Sequence, residues 1–385
     1  MDFDLSEDQT QLKDSAARLL KQRYGFTARR AIMSTEPGYS REMWAAYAAL
    51  GLLGLPFAHA DGGFDGGAAG VMICSELMGE ALTLEPWLAT IVLGGGFLRH
   101  AATGAQRATL LPGVIAGRTH LAFAHTEARS RFDLADCETS AMPSGGGWAL
   151  QGLKKIVLHG ATADYLFVTA RTSGDRCDPD GISLFLVPAG AEGVRKHGYR
   201  TTDGMRAADI GFDHVCVDAQ ALLGSPGEGL TVVERVVDEA IAALAAEAVG
   251  AMQGALTLTL EYLRTRKQFG RPIGTFQALQ HRCADMMVAI EGARSMAMLA
   301  AMVASEDDAG KRASQMRAVK IEIGRAARFV GQQAIQLHGG IGMTDEYAVG
   351  HYFKRLTAID TLFGDADHHL ARLAAAGGLG EALAA

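Results

Sequence analysis

The stretch RTRKQFGRPIGTFQALQH (Arg264–His281) puts a basic turn between two long helical patterns. Ahead of it, Val232, Val236, Ala240, Leu244, Ala248, Met252 and Leu256 recur every fourth residue. Behind it, Phe276, Leu279, Cys283, Met286, Ile290, Ala293 and Ala297 form one helical face, and Val319, Ile323, Ala326, Val330 and Ala334 form another. Alanine on these faces lets helix axes approach closely, so the pattern predicts an antiparallel helical bundle. At the turn itself, Arg264, Arg266, Lys267 and Arg271 crowd around Gly270, Pro272 and Gly274, with Gln277 and Gln280 following. Arginines with amide side chains at a helix junction suit a pyrophosphate and an adenine edge. A solvated basic loop is the plainer alternative.

Upstream of the bundle the texture changes twice. HLAFAHTE, GWALQG, KKIVLHG, DYLFVTART, GISLFLVPA and DIGFDHVCV are short runs rich in Val, Ile, Phe and Tyr, punctuated by glycine and aspartate. They predict a small β-barrel or sandwich, bounded downstream by GSPGEG at 224–229. Before residue 118 the reading is helical: Ser6 and Gln9 form a capping-box pattern, followed by Leu12, Ala16, Leu19 and Leu20. Further helices are expected at 41–50, 69–81 and 87–101, broken by GLPFAHADGGFDGG and LPGVIAGRTH. The expected fold class is α+β, mainly α: a helical segment over 1–117, a β-barrel middle segment over 118–225 and a C-terminal bundle over 226–385.

Bulk properties exclude several functions. At 385 residues the chain exceeds one ordinary core. Its net charge of −7 argues against a nucleic-acid surface, which needs clustered Lys and Arg. The five cysteines, Cys74, Cys137, Cys177, Cys216 and Cys283, are odd in number and include no Cys-x-x-Cys pair. Free thiols in a reducing cytoplasm are expected, without zinc or a disulfide framework. The acidic opening MDFDLSEDQTQLKD lacks the features of a signal peptide. No run reaches ~18 uninterrupted apolar residues, so no membrane span is expected.

Two polar clusters remain. HGGIGMTDEY (338–347) has a glycine-rich turn, but no strand precedes it, which disfavours a dinucleotide fingerprint. A glycine that ends a helix explains it more simply. In TLFGDADHH (361–369), the adjacent His368 and His369 lack metal-ligand spacing. Asp365 and Asp367 read as caps of the following helix, and no metal is assigned.

Together, RTRKQFGRPIGTFQALQH, QLHGGIGMTDEYAVGHYFKRL and the three-part order resemble the acyl-CoA dehydrogenase family over essentially the whole chain. More narrowly, MDFDLSEDQ, GLLGLPFAHADGGF and KRLTAIDTLFGDADHHLARLA are similar to the small subunits of pimeloyl-CoA dehydrogenases. The resemblance implies FAD bound between subunits, an acyl-CoA thioester substrate and α,β-desaturation in fatty-acid oxidation. In such chemistry a carboxylate takes the proton beside the thioester carbonyl while the β-hydride passes to the flavin. It further implies that Arg266, Phe269, Gly270 and Gln277, with Gln336, Gly339, Gly340 and Gly342, hold the adenylate half of FAD. Thr126 opens the middle-segment flavin signature.

The other half departs from the family. The usual Thr-Glu-Pro-x-x-Gly-Ser-Asp reads Thr126-Glu-Ala-Arg-Ser-Arg-Phe-Asp133, with Arg129 and Arg131 where small residues are expected. The Trp-Ile-Ser/Thr segment reads Ile156-Val157-Leu158, and leucine has no hydrogen to donate. At the two positions where the family carries its base stand Phe363 and Ala240. Asp365 and Glu239 are the remaining candidates. The expectation is therefore an incomplete subunit working with a homologous large subunit, as a heterotetramer, that carries the glutamate. A self-sufficient homo-oligomer with a relocated base and a non-enzymatic CoA- or partner-binding scaffold are the alternatives.

Overall fold

A computed structural model of the chain describes residues 6–377. The opening Met1–Leu5, part of the acidic start noted above, lies outside the described residues. Six helices come first: α1 (Glu7–Arg23), α2 (Phe26–Met33), α3 (Arg41–Ala49), α4 (Gly67–Ala81), and, after a π-helical stretch at Trp87–Gly94, α5 (Gly95–His100) and α6 (Gly104–Ile115). Ser6 caps α1 as its sequence predicts: its hydroxyl accepts from Gln9 N at 3.2 Å, and the Gln9 side chain accepts from Ser6 N at 3.0 Å. Helix α6 was not expected, because Pro112-Gly113 reads as a breaker. Here Pro112 lies inside the helix, which a second capping box, Thr103 with Gln106, anchors at its start.

Strands follow: β1 (Leu121–Ala124), β2 (Ser140–Ser144), β3 (Gly147–Leu158), β4 (Tyr165–Arg171), β5 (Ile182–Pro188), β6 (Val194–Arg200), β7 (Arg206–Val217) and β8 (Leu222–Leu223). They form one eight-stranded sheet in the order β6-β7-β3-β2-β4-β5-β8, with β1 parallel to β4 off that path. The expected barrel is thus realised as a sheet whose hydrogen-bond path runs from β6 to β8 without closing. The β6 edge reads VRKHGYR and is largely exposed, a charged edge that discourages further pairing. Strand β3 joins two runs that the sequence separates, GWALQG and KKIVLHG, through bulges between Leu150 and Gly152 and between Lys154 and Val157. Inward residues such as Leu150, Leu166, Val168, Phe185, Ile210 and Phe212 make its core.

Downstream come α7 (Gly229–Thr265), a short hairpin of β9 (Lys267–Gln268) and β10 (Arg271–Pro272), then α8 (Gln277–Val303), α9 (Ala309–His338), α10 (Ala348–Thr361) and α11 (Ala366–Ala375). Helix α9 packs against α8, α10 and α11. By length and composition α7 and α8 are apolar enough to cross a membrane, although the apolar stretch of α7 is mostly buried inside the protein.

The chain forms two compact units, and the division falls inside α7. One comprises the chain up to Arg30, Ala68–Thr83 and the chain from Ile241 onward. Its tightest crossing is backbone on backbone: a Cβ on Gly250 of α7 would lie 1.8 Å from Glu76 O, and one on Gly79 of α4 2.0 Å from Glu247 O. Arg355 of α10 clamps Glu247 through two bonds, at 2.6 and 2.9 Å. The other unit comprises Ala31–Gly67 and Leu84–Ala240 and contains the sheet.

Inside the sheet unit a buried ion pair ties β3 to the turn after β1. Lys154, fully buried, donates to Glu127 Oε1 at 2.8 Å and to Thr169 Oγ1 at 3.0 Å. Glu127 also accepts from the backbone N–H groups of Glu138 and Thr139, at 2.7 and 2.9 Å. Burial alone would raise its pKa, but the Lys154 ammonium and these bonds hold it down at about 2. A carboxyl whose folded pKa lies below its unfolded value of ~4.3 stabilises the fold above that value, and the gain vanishes as pH falls toward 2. Glu127→Gln is expected to cost about 3–5 kcal/mol at pH 7. In denaturant titrations across pH 7 to 2, the two proteins should converge at the acid end.

Candidate functional site

The basic turn is a two-residue hairpin. Arg271 pairs with Gln268 and Pro272 with Lys267, leaving Phe269 (φ +53°) and Gly270 (φ +77°) at the tip. Positive φ at both central residues gives the turn type whose twist matches a hairpin, at a steric cost for phenylalanine that glycine escapes. Phe269 is nevertheless 89% exposed. Beside it Arg271 lies 4.2 Å over the Phe276 ring, and Arg266 is exposed with its carbonyl accepting from Ile273 N at 2.9 Å. Gln277, also exposed, begins α8.

The second motif lies at the same end of the bundle. Gly339 terminates α9, as the helix-end reading predicts, but at φ +65° and ψ −140° rather than in the left-handed helical conformation of the usual glycine cap. Gln336, Gly339 and Gly340 are exposed, and a Cβ on either glycine would meet nothing within 4 Å. Tyr262 stacks on His338 at 4.6 Å between ring centres, joining the end of α7 to the end of α9. Arg282 donates to Gln333 at 3.1 Å, joining α8 to α9. The structure thus brings Arg266, Phe269 and Gln277 to the same end as Gln336, Gly339 and Gly340. Exposed guanidiniums, carboxamides, an aromatic face and unobstructed backbone fit a pyrophosphate and a stacked adenine. These residues would hold the adenylate end of FAD.

Position 363 lies in the turn between α10 and α11. Phe363 (φ +58°) and Gly364 (φ +103°) both have positive φ, and the turn is fixed from below. Lys320 of α9, 1% exposed, donates to the carbonyls of Ile359, Asp360 and Gly364 at 2.8, 2.7 and 2.7 Å. His369 Nε2 donates to the Phe363 carbonyl at 2.8 Å. Burial drives the Lys320 pKa down to about 8, against the raising pull of Asp360 and Asp365. Burial likewise brings His369 to about 4, so its ring is neutral at pH 7. Asp360 accepts from Arg328 at 3.0 Å, and Gly324 has no room for a Cβ, which would lie 2.2 Å from Asp360 Oδ1. Asp365 caps α11, accepting from His368 N at 2.8 Å. Among the described residues no His, Cys, Asp or Glu cluster is arranged to hold a metal.

In the sheet unit, Ala240 is fully buried in α7, and its neighbour Glu239 is engaged. Arg99 donates to Glu239 Oε2 at 2.6 Å and His100 meets Oε1 at 2.7 Å. Burial would raise its pKa, but the His100 bond and the Arg99 charge hold it below the ordinary carboxylate range. Thr126 is half-buried, with Oγ1 3.0 Å from His125 Nε2 and its carbonyl accepting from Lys155 N at 2.7 Å. Arg129 and Arg131 are exposed, and Ile156 (φ +53°) projects from a β3 bulge. This end offers a flavin ring the Thr126 hydroxyl but no donor from the side chains of Ile156 or Leu158.

Models of the acyl-CoA dehydrogenase N-terminal, middle and C-terminal domains match residues 6–118, 122–218 and 227–378. The chain belongs to the acyl-CoA dehydrogenase family, whose members are FAD-dependent oxidoreductases. It is 30% identical to the probable acyl-CoA dehydrogenase YngJ of Bacillus subtilis, over 91% of this chain and 92% of that one. Among solved structures it is similar to a variant of the Tcur3481-Tcur3483 steroid ACAD (31% identity, TM-score 0.86, 98% and 99% coverage). It is also similar to the FAD complex of PigA (26% identity, TM-score 0.88, 98% and 100% coverage).

Sequence reasoning missed Lys320 and the hairpin. The signal for the first was present: one lysine between Val319 and Ile321 on an apolar helical face. Lys320→Met removes a charged donor from three carbonyls and is expected to cost more than about 2 kcal/mol in chemical denaturation, with greater proteolytic cleavage at 361–365.

Proposed function

We propose that this chain is the small subunit of a hetero-oligomeric acyl-CoA dehydrogenase. It offers Arg266, Phe269, Gln277, Gln336, Gly339 and Gly340 to the adenylate half of FAD, while a homologous large subunit supplies the catalytic glutamate. The observation that carries this reading is the turn at Phe363, held by Lys320 and His369 in a fixed geometry with an aromatic ring in place of a proton acceptor. Neither alternative carboxylate is free: Glu239 is held by Arg99 and His100, and Asp365 caps a helix. General-base catalysis needs a carboxylate with an open lone pair and a pKa suited to proton transfer.

When bound, FAD supplies the acceptor for the hydride equivalent leaving the acyl β-carbon. This chain's residues bind and orient. Arg266 and Arg271 neutralise phosphate charge, Phe269 offers a face to the adenine, and the Gln277 and Gln336 amides read polar edges. The resemblance to pimeloyl-CoA dehydrogenase small subunits supports a medium to long acyl or dicarboxylyl thioester. The 31% similarity to a steroid ACAD with a paired designation supports a two-chain assembly and adds bulky acyl groups to the range. The cysteines, all free thiols, accord with a cytoplasmic setting.

Expressed alone, the chain is expected to retain little flavin and to show no acyl-CoA-dependent acceptor reduction. Co-expressed with its large homologue, it should yield a yellow complex active on a panel of pimeloyl-, medium-chain and steroid-side-chain thioesters. Ordinary turnover by the lone chain overturns the reading and restores the self-sufficient alternative. A complex without flavin or turnover leaves the scaffold.

Within the complex, Arg266→Ala should weaken flavin retention by about tenfold to a hundredfold, the worth of one charge-assisted phosphate contact. Phe363→Ala should change kcat/KM by less than about threefold, since no proton passes through it. Flavin release followed by fluorescence and steady-state kinetics measure the two effects.

A further inference from the structure

A cleft of about 400 Å³ opens in the sheet unit, lined by Glu36, Tyr39, Arg41, Trp44, Arg118 and Asp164, with Gly117 and His120 in its wall. Three loops build it, and each is pinned. Ahead of α3, Arg206 lies across Gly38 (φ +68°), where a Cβ would fall 2.2 Å from its Nε, and Ser40 N donates to the buried Glu85 at 3.1 Å. Ahead of β1, His120 N donates to Asp164 Oδ2 at 2.7 Å, and Asp164 N returns a bond to His120 O at 2.9 Å. The Tyr39 hydroxyl lies 3.2 Å from His120 Nε2, and the Trp44 and His120 rings stack at 5.8 Å. Trp44, 2% exposed, is the floor, and its indole nitrogen has no acceptor among the described residues and lies beneath Gly117.

The charges around this floor do not neutralise one another. Among the described residues no carboxylate stands within ion-pair distance of Arg41 or Arg118, and no cation within ion-pair distance of Glu36. Asp164 meets the His120 ring at 3.7 Å, whose pKa burial lowers, and lies in the field of the Lys196 ammonium, which donates to the neighbouring Ala163 carbonyl at 3.3 Å. Two guanidiniums and two carboxylates thus line one aromatic floor; Arg41 bonds the Tyr39 hydroxyl and Asp164 the His120 N–H, but groups of both signs stay outside any close ion pair among the described residues. A simple anion would meet the carboxylates and a simple cation the arginines; a ligand carrying both charges meets each with its opposite. The volume is at the small end of ligand cavities.

We propose that this cleft binds a small zwitterion of the α-amino-acid class, its carboxylate at Arg41 and Arg118, its ammonium at Glu36 and Asp164, and its side chain over Trp44. The cleft adjoins His120, ahead of β1, whereas Thr126 follows that strand. The cleft and the Thr126 hydroxyl therefore lie beyond opposite ends of β1. The inference does not rest on the subunit assignment above.

The test is titration of the full-length protein, alone and in complex, with L-phenylalanine and L-leucine, followed by tryptophan fluorescence and calorimetry. Benzoate and phenethylamine supply each charge alone. Saturable binding of an amino acid is expected, at least tenfold tighter than either single-charge probe. Arg118→Met and Glu36→Gln, both exposed and with unchanged melting temperatures, should each weaken it at least tenfold. Trp44→Phe should abolish the fluorescence change while heat is still released. Absence of saturable amino-acid binding overturns the proposal. So does benzoate binding as tight as phenylalanine together with indifference to Glu36→Gln, which would mark a plain anion site.

Discussion

A single buried ammonium fixes the turn on which the candidate active site depends. Lys320 sits in the apolar face of α9 and gives its three donor hydrogens to three carbonyls at the end of α10. Desolvating a charge there is costly, as the lowering of its pKa to about 8 records. The return is geometric: the chain leaves α10, takes two residues of positive φ and enters α11 with its carbonyls satisfied. Gly324 and Gly364 are glycines for the same reason, one to admit Asp360 and one to sustain φ +103°. The turn therefore holds position 363 whatever side chain stands there, and in this chain that side chain is a phenylalanine.

The remaining carboxylates explain why a relocated base is hard to accommodate. Glu127, Glu239, Asp360 and Asp365 each hold a structural post: against Lys154, against Arg99 and His100, against Arg328, and at the head of α11. Glu127 and Glu239, stabilised in their charged form by such partners, are weaker bases, because the interactions that lower their pKa values are lost on protonation. Taking Glu239 for proton transfer would give up its bonds to Arg99 and His100, the contacts that hold its largely buried carboxylate charged.

Much of this was legible in the sequence, and the losses have physical causes. Period-four alanine and valine patterns foretold α7, α8 and α9, and the Ser6–Gln9 box marked the start of α1. These are local signals, complete within one turn or one face. The strand-like texture identified β1, β4, β5 and β7, but β6 was invisible because an exposed edge strand carries Arg195, Lys196 and His197 rather than an alternating apolar pattern. Non-local organisation was equally hidden. That α4 crosses α7 through Gly79 and Gly250 is set by backbone contact between segments about 170 residues apart, which no window of sequence contains. Lys320 and the Arg41–Arg118 cleft belong to the same class: single residues whose meaning lies in partners brought from elsewhere.

On the proposed reading, the hairpin at Phe269 is what survives when the base does not. A phenylalanine at positive φ costs about 1–2 kcal/mol relative to glycine, and leaving it 89% exposed forgoes the burial that would offset that cost. Nothing within the described part of this chain repays either cost, since its ring meets only Phe276, edge-on at 6.0 Å. Such a residue makes sense where the stacking partner arrives from outside. The same holds for the uncovered backbone at Gly339 and Gly340. On the proposed reading, these features persist because a cofactor shared with another subunit uses them, while the proton acceptor can be lost from one chain of a pair if the other keeps it.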